Sequence, residues 1–120
     1  MNRKQIKKLC KKYYEWWSQW LGLRWWKTSL VFIETWNSDM DAIAICDCKW
    51  QYMEAVVTVN MNMIADCNEE EIERVIVHEL MHVFLNEMRE SGMKHEERVA
   101  ETLCNAFMWV RYKAQEEAKL

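Results

Sequence analysis

The segment from Asn68 to about Met88 constrains this chain most. Asn68 is a helix-capping residue, Glu69, Glu70 and Glu71 put acids into the electropositive first turn, and Glu71 stands at the capping-box position. Ile72, Val75, Ile76, Leu80, Phe84 and Leu85 then continue a helix that is apolar nearly all round. Such a helix has to be enclosed by the rest of the fold, and any polar side chain within it needs a partner. His78, Glu79 and His82 lie in its interior.

The remaining elements are those that can enclose it. Residues 2–21 place Ile6, Leu9, Cys10, Tyr13, Trp16, Trp17, Trp20 and Leu21 at helical spacing, with lysines opposite, which predicts an amphipathic helix packing an aromatic face into the core. β-branched and aromatic residues between Trp25 and Trp36 predict a strand. Residues 42–47 predict a second, and 52–61, with Val57 and Val59 alternating against Val56, Thr58 and Asn60, a third. Antiparallel pairing is the simplest arrangement of the three. Ser91-Gly92 ends the central helix, and a last helix runs from about His95 to Ala118 with Val99, Leu103, Ala106, Phe107 and Val110 on its packing side. Two glycines and no proline in 120 residues fit such well-formed elements. The expected fold is α+β, one domain over residues 1–120: an N-terminal helix, a small, mainly antiparallel three-stranded sheet, the buried helix and a C-terminal helix.

Charge and cysteine content narrow the setting. At 51% apolar and 29% charged residues the chain is not a disordered segment, and it holds no long uncharged apolar run to span a membrane. Five cysteines without a CxxC pair, and no cleavable signal pattern at the start, point to a reducing, cytoplasmic setting. The net charge of −3 conceals a basic first part: residues 1–27 carry eight Lys/Arg and one acid. Together with six of the eight tryptophans in the first 36 residues, this opens nucleic acid or an anionic surface as a partner, against the plainer reading of a solvated basic face over a packed core.

His78-Glu79-Leu80-Met81-His82 is the HExxH pattern. At 3.6 residues per turn the two imidazoles rise from neighbouring turns about 40° apart and can converge on one metal ion. Glu79 is rotated about 100° from His78, so it is placed to reach a water at the metal's open position and act as general base rather than to chelate. A catalytic zinc site takes three protein ligands, and the candidates for the third cluster in His95, Glu96, Glu97 and Glu101. The extended pattern with a third His is absent, because Met88 and Leu85 occupy its His and Gly positions. Glu97 and Glu101 are four apart on one helical face, with the small Ala100 between them; Glu97 is assigned as the ligand and Glu101 as the acid that orients a ligand His through its free N–H. Cys46, Cys48 and Cys104, and the nine methionines, read as core residues, with metal ligation as the rarer use of the cysteines.

In these residues the chain resembles the zincin metallopeptidases, and among them the small glutamate-type domains of the ImmA/IrrE kind and compact phage-encoded metallopeptidases. The matching segments are 52–59 (YMEAVVTV), 75–82 (VIVHELMH) and 97–103 (ERVAETL), in the element order of residues 28–110. At Glu101 those domains more often carry Asn or Asp. The resemblance implies a zinc-dependent endopeptidase that lays a peptide along a sheet edge.

The residues and the resemblance together lead to hydrolysis of a protein or peptide substrate, with zinc polarising the scissile carbonyl and Glu79 moving the proton. His95, Tyr52 and Tyr112 are candidate oxyanion donors, and the strand 52–60, directly preceding the motif helix, is the candidate substrate-pairing strand. Two other readings compete. One is a protease similar to the SprT type, acting on DNA-bound proteins through the basic N-terminal helix, with His95 as third ligand. The other is a non-catalytic regulatory module whose structural zinc is closed by Glu101, His95 or Cys104.

Overall fold

A computed structural model describes residues 1–37, 39–86 and 96–118. Its elements are α1 (Arg3–Trp20), β1 (Lys27–Ile33), β2 (Ala44–Lys49), β3 (Glu54–Asn60), a single turn α2 (Met61–Ile64), α3 (Glu69–Phe84) and α4 (Glu96–Ala118). The architecture is α+β, as the sequence leads one to expect. The central helix ends at Phe84 with Leu85 as its cap, about a turn short of the expected Met88; Ser91-Gly92 and His95 lie outside the described residues.

Local chemistry sets the helix starts. The Asn2 side chain accepts the Gln5 N–H while the Gln5 side chain accepts the Asn2 N–H, a reciprocal box at the head of α1. Asn68 Oδ1 accepts the Glu71 N–H at 2.9 Å and opens α3. After α1 the chain turns at Gly22, whose φ of +69° a residue with a Cβ rarely adopts.

The sheet has the order β1-β3-β2. β2 and β3 form an antiparallel hairpin running from Ala44↔Val59 to Lys49↔Glu54, but β1 pairs with β3 in parallel, from Lys27↔Glu54 to Ile33↔Asn60. The sheet is therefore mixed rather than wholly antiparallel. The reason is chain length between strands: the short turn at residues 50–53 forces β2 and β3 side by side, whereas the ten residues 34–43 carry β2 away from β1 and leave the middle to β3. β3 suits that place, since Ala55, Val57 and Val59 are all buried.

α3 is the hub, packing against α1, α4, β2 and β3. Its Ile72, Ile76, Val77, Leu80 and Met81 meet Ile6, Cys10, Tyr13 and Trp17 of α1 and Ala100, Cys104 and Met108 of α4 in one core. Trp17 and Leu21 are buried there, but Trp16 and Trp20, which the periodicity also assigned to the packing face, are exposed. They lie at the margin of the apolar stripe, where the core has already closed over α3.

One charge is enclosed completely. Glu73 has no exposed surface; its carboxylate accepts from Trp17 Nε1 at 2.7 Å, Arg111 Nε at 2.5 Å and Tyr112 Oη at 2.9 Å. Arg111 in turn lies over the Trp16 and Tyr112 rings. These bonds tie α1, α3 and α4 together, and they satisfy a carboxylate that would otherwise be costly to bury.

Candidate metal centre

α3 carries His78, Glu79 and His82 to the wall of a cleft of about 640 Å³, lined by Ala42–Cys46 of the β2 edge, by Arg74 and Val75, and by Glu96, Glu97 and Glu101 of α4. One donor atom from each of His78, Glu79 and His82 lies within 4.8 Å of the others. The two imidazoles stand on successive turns, with ring centroids 5.2 Å apart and planes at 77°.

The acids of α4 close around these rings. Glu97 faces both Nε2 atoms: its Oε2 is 3.1 Å from His78 Nε2 and its Oε1 is 2.8 Å from His82 Nε2. The opposite nitrogens are held from behind, His78 Nδ1 by Glu101 Oε2 at 2.7 Å and His82 Nδ1 by Glu96 Oε2 at 2.9 Å. A carboxylate can only accept, so each of these contacts is a hydrogen bond wherever the ring nitrogen carries a proton, and the pairing of Nδ1 with Glu101 or Glu96 leaves each Nε2 turned toward Glu97. Glu96, one of the candidates for the third ligand, stands instead behind His82, a place that only the meeting of α3 and α4 shows.

Glu79 points into the same region and is nearly buried, and its Oε2 has no hydrogen-bond partner among the described residues. Burial lifts its carboxyl above the ordinary range; the two imidazoles pull the other way, and Glu97 adds to the rise.

Arg74, one turn before His78, is the only Lys or Arg among the described residues lining the cleft; Asn105 and Glu70 hold its guanidinium. Its place at i−4 from the motif was readable in the sequence, but the cleft that gives it meaning was not. Tyr52 is exposed on the turn before β3, and Tyr112 is bonded to Glu73, so neither lines the cleft. β3 cannot offer a pairing edge, because β1 and β2 occupy both its sides; the open edge beside the cleft belongs to β2. Cys46 lines the cleft, 3.6 Å from Cys48 Sγ, and that contact and burial push its thiol far up. Cys104 is buried, donating to the Arg74 carbonyl at 3.4 Å.

The family model described as "Putative phage metallopeptidase" matches residues 3–115. The chain belongs to this phage metallopeptidase family. The match spans α1, the sheet, α3 and nearly all of α4, so the family resides in the whole arrangement and not in the five-residue motif alone. No curated protein and no solved structure matches the chain. Among the described residues no helix is long and apolar enough to cross a membrane.

Proposed function

We propose that this phage-family metallopeptidase is a zinc-dependent endopeptidase of the zincin type, similar in layout to the small ImmA/IrrE-like domains, with His78, His82 and Glu97 holding the metal. The convergence of both Nε2 atoms on the Glu97 carboxylate carries this reading. Acceptors that face one another at such distances need a proton or a metal cation between them, and two imidazole nitrogens with one carboxylate form a familiar catalytic zinc set. Two donors at bonding distance from one zinc ion lie about 3.3 Å apart, and the contacts of 3.1 and 2.8 Å come close to that spacing. Glu101 and Glu96, behind the rings, fix the tautomers and orientations such ligands require.

Bound there, zinc supplies Lewis-acid polarisation of a scissile carbonyl and acidifies a water. Glu79 acts as general base, taking the proton of the attacking water and passing it to the leaving amine. Its partnerless buried oxygen and its raised carboxyl suit that task, since a base with a pKa nearer the working pH exchanges protons more readily. An extended peptide pairs its backbone with the open edge of β2 at residues 44–46, which line the same cleft as the imidazoles.

The regulatory-module reading is less well supported. Glu101 is committed to the far nitrogen of His78, and Cys104 is turned to a carbonyl in the core. His95, the third possible closing ligand, lies outside the described residues. Five free thiols, two of them 3.6 Å apart, support placing the enzyme in a reducing cytoplasm.

The zinc-loaded chain is expected to cleave an unfolded protein substrate. Glu79→Gln should retain zinc and lose about 10²–10⁴-fold in rate. Undiminished cleavage by that variant would remove Glu79 from the mechanism.

A further inference from the structure

Lys4, Lys8, Lys12, Trp16 and Trp20 are each four residues apart and all exposed; because each such step turns about 40°, they form an oblique ridge that winds about 160° round the exposed side of α1. Successive side chains on such a ridge are about 6 Å apart along the axis, so the row is about 24 Å long. Its first half is three ammonium groups, none of them paired with a carboxylate among the described residues. Its second half is two indoles with centroids 5.6 Å apart. Lys7 and Lys11 are exposed beside it, and Glu15 is the one acid of the helix. Trp16 is held in place by Trp17 at its edge and by Arg111, 4.8 Å from its centroid.

We propose that this ridge docks a single strand of DNA without regard to sequence, phosphates lying along Lys4, Lys8 and Lys12 and bases stacking on Trp16 and Trp20. Charge and order along the row both favour that occupant. Cations concentrated on the face of a chain that is otherwise acidic attract a polyanion, and exposed aromatic rings beside them offer what unpaired bases stack on. A lipid surface fits less well, because a helix lying in a membrane needs an apolar stripe along its length, and α1 has committed Ile6, Cys10, Tyr13, Trp17 and Leu21 to the core. Nothing on the ridge reads a 2′-hydroxyl specifically, since lysine and tryptophan offer only donors that a phosphate satisfies equally, so ribose gains no advantage over deoxyribose. This surface is independent of the peptidase reading.

Fluorescence anisotropy of a labelled 20-mer of deoxythymidine, titrated with the full chain over a range of salt concentrations, tests the proposal. Three phosphate contacts predict a log–log salt slope of about −2. Lys4→Gln, Lys8→Gln and Lys12→Gln combined should flatten the slope by that amount, and Trp20→Ala should weaken binding about tenfold. These are surface positions, so circular dichroism should show the fold intact. The proposal is overturned by an absence of binding at low salt, by a slope the triple lysine variant leaves unchanged, by tenfold tighter binding of the ribouridine 20-mer, or by binding to phosphatidylserine vesicles without binding to the strand.

Discussion

Glu101 and His78 meet at 2.7 Å through Oε2 and Nδ1, while Glu97, one turn earlier on the same helix, faces the other nitrogen of that ring at 3.1 Å. One imidazole is thus gripped at both nitrogens by two carboxylates spaced as a helix spaces i and i+4. The two acids have different duties, and substitution should separate them. Glu101→Ala is expected to weaken zinc about 10–100-fold, as loss of an orienting carboxylate does. Glu97→Ala should weaken it further. Competition against a chelator of known affinity measures both, and the opposite ranking would exchange their roles.

Glu96 stands to His82 as Glu101 does to His78, with 2.9 Å between Oε2 and Nδ1. Glu96→Ala should therefore also reduce zinc affinity by about 10–100-fold, although its neighbour Arg98 should tolerate the same change. Equal affinities for the Glu96 variant and the parent would show that the contact does not steer the ring.

The buried Glu73 gives a stability prediction. Glu73→Ala leaves the Arg111 guanidinium and the Trp17 and Tyr112 donors without their acceptor, and unfolding free energy should fall by about 3 kcal/mol or more. Replacing Glu73 and Arg111 together by Leu and Met should cost much less, since the unpaired charge is then gone. Urea denaturation of the two variants makes the comparison.

At Gly22 a Cβ would meet no atom within 4 Å, so the cost of Gly22→Ala is conformational alone. A φ of +69° predicts a loss of about 1 kcal/mol. The denaturation midpoint should drop with no change in its slope; an unchanged midpoint would mean the turn relaxes to another conformation.

α3 and its motif were legible because their signals are local: Asn68 caps, the acids follow, and the apolar run continues without a break. The pairing of Glu97 and Glu101 on one face was equally readable, being a matter of helical spacing. What lay beyond the sequence depends on distant segments meeting. The parallel pairing of β1 with β3 follows from which strand takes the middle, a choice set by the unequal connections on either side of β2. The exposure of Trp16 and Trp20 depends on how far α4 covers α1. Nothing local in the sequence marks Glu73 as the buried acceptor of Trp17, Arg111 and Tyr112, and Glu96 gained its place behind His82 only when α4 met α3.

Zinc titration into the metal-stripped chain, followed by calorimetry, tests the metal centre most directly. The parent should bind one zinc per chain and gain about 2.7 kcal/mol of stability at a hundredfold excess over the dissociation constant, and His82→Ala should abolish tight binding. A chain that takes up no zinc, or a His82→Ala variant that binds it as the parent does, would contradict the account.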